Sequence, residues 1–247
     1  MNFADAKTLQ KVLLSVTILA SVSTAQPPTT SDSLLTRGLS VQAGWGYLAV
    51  RDEYLSREKY SATLPLIGVS WTDVRATWRY RFDLLYQSTK SLKNYNVSAE
   101  VDQASLRLDV LFPFGEFFCI GPGTEIFVHS RTQHIAGEFK VSSMAWLLST
   151  NVIAEATYPL GSSVKAEGGA FVSLFSQTAK STESGGPARF LTLFSALRAA
   201  GEIRLWFQFS ESLSGYAGYR FEVTRITAWD YFLTGSDHAI FALIYDL

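Results

Sequence analysis

The feature that most constrains this chain is a two-residue alternation of apolar and polar side chains, which recurs from about residue 38 to the C-terminus. In the last ten residues one strand face would carry Ala239, Phe241, Leu243, Tyr245 and Leu247, and the other face would carry a mixed set. A β-strand has a side-chain period of two, so this pattern favours strands with two faces of different character. We therefore predict an all-β, antiparallel protein.

Interruptions by turn residues divide the pattern into ten predicted strands. These strands cover residues 38–50, 61–71, 76–86, 97–112, 117–131, 139–158, 163–177, 189–209, 216–226 and 238–247. The connections between them alternate in length. Short turns are predicted at 72–74, 113–116, 159–162 and 210–213, and longer polar loops at 51–60, 88–96, 133–138, 178–188 and 228–237.

The closing strand, with Phe241, Leu243, Tyr245 and Leu247 on one face, resembles the C-terminal strand of bacterial outer-membrane β-barrels. That family typically ends in Phe or Trp, whereas this chain ends in Leu247. Short periplasmic turns and longer extracellular loops are also typical of the family. The resemblance implies an up-and-down transmembrane barrel over residues 36–247, with its first strand paired to its last. It also implies outer-membrane lipid and the barrel-assembly machinery as partners.

The N-terminal segment has the pattern of a secretory signal peptide. Lys7 and Lys11 precede an apolar run at 12–20, and Ser23, Thr24 and Ala25 are small residues suited to cleavage before residue 26. The run is too short to span a bilayer. We predict a signal peptide at 1–25 and a flexible leader at 26–35. The alternative is an amphipathic N-terminal helix of a cytosolic protein.

Charge and cysteine content exclude several classes of function. The 21 basic and 22 acidic residues give a net charge of −1, so no nucleic-acid partner is predicted. The one cysteine, Cys119, rules out an intrachain disulfide. We find no metal-ligand spacing, phosphate loop or nucleotide fingerprint, so we predict no cofactor and no metal site.

The predicted barrel can be soluble or membrane-embedded, depending on which face meets water. The apolar faces are broad and rich in aromatic residues, more than a ten-stranded interior can hold, so we predict that they face lipid. The opposite faces carry charges of both signs and would form a lumenal network. Besides Arg75, its members are Arg79, Arg81, Asp83, Arg107, Asp109, Glu125, Glu155, Lys165, Glu167, Arg198, Glu202, Arg204, Arg220 and Glu222. The alternative is a soluble barrel with these charges on its surface.

A ten-stranded barrel encloses a lumen little wider than the eight-stranded case, which side chains roughly fill. We expect five aromatic side chains to narrow it further: Phe171, Phe175, Phe190, Phe194 and Trp206. A wide diffusion porin is therefore excluded. The basic residues Arg75, Arg79 and Arg81 could still attract anions to a narrow passage.

Two small constellations raise the alternative of an outer-membrane hydrolase acting at the extracellular rim. Glu100 and Asp102 share one strand face, and with His238 they resemble the acidic pair and histidine of the omptins, ten-stranded outer-membrane proteases. His129 and Ser130 resemble the base and nucleophile of outer-membrane lipid A deacylases. Asp237 precedes His238, as an orienting carboxylate would in the omptin-like site. Adjacent strand residues point to opposite faces, which argues against a contact of Asp237 with His238 and of His129 with Ser130.

Our leading prediction is a non-enzymatic barrel that is plugged or narrowly conducting. Its role would be structure, surface interaction or the passage of small solutes.

Overall fold

The structure of the protein is a computed structural model. It describes residues 37–52, 56–75, 77–94, 97–135, 139–181, 189–192, 194–227 and 231–247. The predicted signal peptide and leader lie outside these residues. No helix in the described ranges is long and apolar enough to cross a bilayer.

The described residues form eleven strand segments. They are β1 (Arg37–Asp52), β2 (Ser56–Val74), β3 (Arg79–Asn94), β4 (Val97–Pro113), β5 (Phe118–Ile135), β6 (Phe139–Pro159), β7 (Val164–Ser181), β8 (Arg189–Thr192), β9 (Ala196–Gln208), β10 (Leu213–Ile226) and β11 (Phe232–Asp246).

The strands close into an antiparallel barrel of ten strands, as predicted. Strand β1 pairs with β2 on one side and with β11 on the other, in a register that runs from Gly38 opposite Asp246 to Asp52 opposite Phe232. Strand β7 pairs with β6 on one side and with both β8 and β9 on the other. The segments β8 and β9 thus fill one strand position together. Closure leaves no unpaired edge along the β1–β11 seam.

Several predicted loops are strand instead. Residues 88–94 belong to β3, where Thr89 lies opposite Val101 and Asn94 opposite Val97, and residues 133–135 belong to β5. Alternation disappears where both strand faces are polar, but backbone pairing does not depend on side-chain polarity. The turn predicted at 72–74 lies at 75–78, where the Arg75 N–H donates to the Trp78 carbonyl at 2.8 Å.

The predicted eighth strand is divided by a turn in which the Ser195 N–H donates to the Thr192 carbonyl at 2.9 Å. A bulge between β6 and β7 places one additional residue, Leu174, opposite the Thr150–Asn151 step. An added residue reverses the alternation. Phe175 (48% exposed) therefore does not face the lumen, contrary to the prediction. Phe194 (84% exposed) does not face it either, because it lies in the turn between β8 and β9.

Phe171 is buried in the lumen and Trp206 packs against a lumenal apolar cluster, as expected. The side chain of Phe190 lies outside the described residues.

The apolar strand faces point outward. The four closing-strand residues Phe241, Leu243, Tyr245 and Leu247 are each between 57% and 65% exposed. Aromatic side chains lie towards both ends of the outward face, with Trp71, Tyr80 and Phe112 at one end and Tyr47, Tyr86 and Tyr219 at the other. Apolar residues outside, polar residues inside and an aromatic belt near each end are the arrangement of a barrel that meets lipid.

Candidate functional site

The lumen is the candidate site, and its two ends differ. We call the end with Arg37, Leu247 and the turns 75–78, 114–117, 160–163 and 209–212 the turn end. The opposite end, where β1 ends at Asp52 and β3 ends at Asn94, is the loop end. From the loop end to the turn end, the inward side chains form an apolar plug, an ionic belt and an open vestibule.

The apolar plug is a cluster of buried side chains contributed by strands all around the barrel. Its members are Leu48, Val50, Tyr60, Leu64, Ala99, Val101, Phe127, Leu147, Leu191, Ala196, Ile226 and Phe232. Polar groups within it contact one another. The Gln133 amide donates to the Tyr60 hydroxyl at 3.0 Å, and the Arg131 guanidinium lies 4.1 Å from the centre of the Tyr60 ring. The plug closes the lumen at the loop end.

Below the plug lies the ionic belt, a set of arginines and carboxylates connected by ion pairs. The arginines are Arg79, Arg81, Arg107, Arg198, Arg204 and Arg220, and the carboxylates are Asp83, Asp109, Glu125, Glu155, Glu167, Glu202 and Glu222. Each of the six arginines pairs with at least two of the carboxylates, so the belt is one connected network and not a series of separate pairs.

Strand register explains why these charges meet. Arg81 lies opposite Asp109, and Asp83 lies opposite Arg107, on neighbouring inward positions of β3 and β4. Arg81 also crosses the lumen to Glu155 on β6. The planar guanidinium offers five N–H donors, which lets one arginine bind several carboxylates at once.

The belt leaves little free space. The voids beside it measure about 20 Å³, next to Arg81 and Arg220, and about 10 Å³, next to Gln87 and Gln103. A cavity of about 10–15 Å³ holds one water molecule. Each of these two voids therefore has room for about one water molecule.

The vestibule at the turn end is a cavity of about 1000 Å³. Arg79, Arg81, Lys165 and Arg204 lie along its inner part, and the exposed Glu116 and Glu211 lie in the turns at its mouth. Its walls combine hydroxyl groups with apolar and aromatic side chains. The hydroxyl side chains are Ser40, Ser70, Thr72, Thr157 and Ser162; the apolar and aromatic ones include Val74, Phe117, Val164, Trp206, Tyr216 and Ile244.

Lys165 differs from the arginines of the belt. No carboxylate of the described residues lies within 4 Å of its ammonium group, which instead sits 4.3 Å from the centre of the Trp206 ring. Trp206 packs against Tyr216, with ring centres 5.0 Å apart. Its indole N–H is buried and has no acceptor among the described residues.

All fourteen charged residues predicted for the lumenal network lie on inward strand positions, thirteen of them in the belt and Lys165 beside it. Arg75 does not. Its side chain is 57% exposed at the turn 75–78 and pairs with Asp73 at 2.8 Å. A residue in a turn is outside the strand alternation on which that assignment depended.

The residues of the protease-like alternative are not brought together. Glu100 and Asp102 lie on the outward face of β4, where the Tyr86 hydroxyl donates to Asp102 at 2.7 Å and Glu100 lies 3.5 Å from His134. His238 is 1% exposed on the inward face of β11. The barrel wall therefore separates His238 from both carboxylates, although the sequence suggested a shared rim.

The lipid A deacylase-like pair, His129 and Ser130, is also separated by the barrel wall. His129 is buried inside, with its Nδ1 2.8 Å from the Gln103 amide nitrogen, whereas Ser130 occupies an outward position on β5. Within the described ranges, no three His, Cys, Asp or Glu side chains are grouped so as to hold a metal ion.

Sequence reasoning missed two parts of the lumen, the apolar plug and the vestibule. The signal for the plug was present, because inward positions towards the loop end carry Leu48, Val50, Leu64 and Val101. At those positions apolar residues occur on the lumenal face, against the rule that lumenal residues are polar. No sequence pattern of this kind predicts the vestibule, because its volume depends on how the inward side chains are arranged in three dimensions.

No protein-family model matches the sequence, and no curated protein matches it. The outer membrane protease OmpT from Escherichia coli is similar in structure, with a TM-score of 0.57 and 8% identity over 89% of this chain and 99% of that one. The translocator domain of autotransporter NalP from Neisseria meningitidis has a TM-score of 0.49 and 11% identity, with 98% of each chain covered. The Neisserial surface protein NspA has a TM-score of 0.40 and 14% identity over 85% of this chain and 97% of that one. This chain has the fold of bacterial outer-membrane β-barrel proteins.

Proposed function

We propose that the protein is exported by a signal peptide at 1–25 and inserted in the bacterial outer membrane as a barrel closed to ions. Its role is then structural or surface-interacting and is carried out at its two ends instead of through its lumen. The observation that carries this proposal is the ionic belt, whose buried, ion-paired side chains occupy the centre of the lumen beside voids of about 20 and 10 Å³.

Two successive layers oppose the passage of an ion. In the belt, an ion would have to displace charges that already have partners, such as Arg198, which lies 2.9 Å from Glu125 and 3.1 Å from Glu222. In the plug it would lose its hydration among mainly apolar side chains, and an unpaired charge in an apolar medium is costly.

The orientation in the membrane follows from the chain ends. Arg37 and Leu247 both lie at the turn end, and the turns of an outer-membrane barrel face the periplasm. In this orientation the apolar plug faces the cell exterior and the vestibule faces the periplasm. The partners that follow are outer-membrane lipid and the barrel-assembly machinery, with no nucleic acid.

Single-channel recording in a planar bilayer tests the proposal. The refolded protein is inserted after its fold is verified by the change in gel mobility on heating, and a diffusion porin in the same membranes is the positive control. We expect no discrete current steps from this protein. Steady unitary steps from the verified folded protein would show a conducting lumen and would overturn the proposal.

A further inference from the structure

We infer that the vestibule is a binding pocket for a small carboxylic acid with one negative charge and an apolar body, which enters from the turn end. The inference goes beyond the closed barrel proposed above, because it assigns a ligand class to the large cavity at the turn end of the lumen.

The shape of the vestibule is that of a pocket and not of a passage. Its volume of about 1000 Å³ lies at the upper end of the range of small-molecule sites, about 300–1,000 Å³. It is open at the turn end and bounded on the inside by Arg81, Arg204 and Glu167 of the belt. A molecule that enters is therefore retained against the belt and leaves by the way it came.

Lys165 provides the anion-binding group. An ammonium group has three donors and no acceptor, and contact with the Trp206 ring uses none of the donors in a hydrogen bond to oxygen or nitrogen. The arginines nearby differ, since Arg79 is paired with Glu155 at 3.0 Å and Arg204 with Glu167 at 3.1 Å. Among the described cations that line the vestibule, Lys165 is thus the one without an ion pair, so its donors remain available to a ligand carboxylate.

Charge balance limits the ligand to one negative charge. With Lys165, the six arginines balance the seven carboxylates of the belt, so every negative charge of a ligand is added to a neutral lumen and more than one is unfavourable. At the mouth, Glu116, Glu211 and Asp246 repel anions, most strongly those that carry several charges. Both the charge balance and the acidic mouth disfavour a phosphorylated or nucleotide-like ligand. A ligand with a single carboxylate can pair with the one ammonium group of Lys165.

The walls favour an apolar body on that carboxylate. Val74, Val164, Trp206 and Ile244 give the vestibule an apolar and aromatic surface next to Lys165. Burial of apolar ligand surface against such side chains is the main favourable term in small-molecule binding. The hydroxyl groups of Ser40, Ser70, Thr72 and Thr157 offer hydrogen bonds to further oxygen atoms of a ligand.

Benzoate is the probe, and the indole N–H of Trp206 is the reporter. Protein labelled with ¹⁵N is placed in lipid nanodiscs and titrated with benzoate, and the Trp206 signal is assigned from the variant Trp206→Phe. We expect a saturable change in the chemical shift of that signal. Benzamide, which has the same ring without the charge, should cause a much weaker change.

Three lysine variants assign the effect to the pocket. Lys165→Gln should raise the dissociation constant for benzoate about tenfold, because a charge-assisted hydrogen bond is lost. Lys165→Arg should bind nearly as well as the unmodified protein. Lys90→Gln, which removes an exposed lysine at the loop end, should leave the dissociation constant unchanged.

Three outcomes would overturn the inference: a shift that does not saturate, an equal response to benzamide, or a dissociation constant that Lys165→Gln leaves unaltered. The conductance recording is a separate measurement. Current steps together with Lys165-dependent benzoate binding would reject the closed barrel alone, and a silent barrel without binding would reject the pocket alone.

Discussion

The two ends of the lumen are built on the same strands with the same inward alternation, yet one is filled and the other is hollow. At the loop end Leu48, Leu64 and Leu147 are at most 1% exposed. At the turn end the inward positions carry Ser40 and Thr72 beside a cavity of about 1000 Å³. Side-chain size and polarity, and not the backbone of the barrel, therefore determine where this lumen is closed.

The two ends should also differ in the free-energy cost of losing a hydrogen-bond partner, because the filled end is dry and the hollow end is open to water. In the plug and belt a polar group needs a protein partner, and loss of that partner leaves it unsatisfied. In the vestibule water can replace a lost partner. Substitutions of the same kind should therefore cost much more at the filled end.

The largest effect is expected from Arg198→Ala, at the junction of the belt and the plug. The Arg198 guanidinium is 1% exposed, lies 4.1 Å from the ring centre of Phe127 and pairs with Glu125 and Glu222. Its removal leaves two buried carboxylates without this partner, which costs about 3–5 kcal/mol of the free energy of unfolding. Urea titration of the protein in lipid vesicles measures the loss.

Arg75→Ala is the matched control, since Arg75 also forms an arginine–carboxylate pair, with Asp73, but at an exposed turn. Exposed pairs contribute about 0–1 kcal/mol, so this variant should unfold almost as the unmodified protein does. If both variants lose the same stability, the distinction between a dry belt and a wet turn end is wrong.

The next largest effect concerns two leucines at opposite ends. Leu147→Ala removes a side chain that is 1% exposed within the plug, and such a cavity costs about 2–5 kcal/mol. Leu160→Ala truncates a side chain that is 57% exposed at the vestibule mouth and should change the free energy of unfolding by less than about 0.5 kcal/mol. Urea midpoints of the two variants give the comparison, and equal midpoints would contradict a tightly packed plug.

The sequence predicts the charged wall of the lumen because alternation assigns each strand residue to a face. Arg81 and Asp83 on β3 and Arg107 and Asp109 on β4 are inward for that reason. Which arginine meets which carboxylate was not predictable. The pairing depends on strand register and on reach across the lumen, as in the contact between Arg81 and Glu155, and neither is encoded in local alternation.

Local irregularities account for most of the errors in the predicted fold. The additional residue Leu174 in β7 reverses the faces beyond it and turns Phe175 outward, and the turn at Ser195 divides one predicted strand in two. A single bulge leaves no mark in composition. The strand at 88–94 was missed for another reason, since both of its faces are polar and the alternation is absent.

The hydrolase-like constellations failed on a point that alternation alone could have decided. Positions 100 and 102 share the outward face of β4, and position 238 is inward on β11. Assigning the inward face requires one known reference residue in each strand. The charged residues supply it for β4 through Arg107, and the apolar face with Phe241, Leu243 and Tyr245 supplies it for β11, where it assigns His238 to the inward face.

The smallest and most discriminating effect comes from one substitution made at both ends. Tyr60→Phe removes the acceptor of the Gln133 amide in the plug, 3.0 Å away. Tyr60 and Gln133 are both buried, so the amide is left unsatisfied at a cost of about 1–3 kcal/mol. Tyr216→Phe removes the donor to the Gln42 amide oxygen, 2.9 Å away, where Tyr216 lines the vestibule.

Water from the vestibule can replace the Tyr216 hydroxyl, so we expect this second loss to stay below about 1 kcal/mol. Because the two substitutions delete the same atom, the difference between their free energies of unfolding reports hydration at each end. The urea midpoint should fall further for Tyr60→Phe than for Tyr216→Phe. The reverse order would mean that water reaches the plug and is absent from the inner vestibule, and the contrast between the two ends would then have to be abandoned.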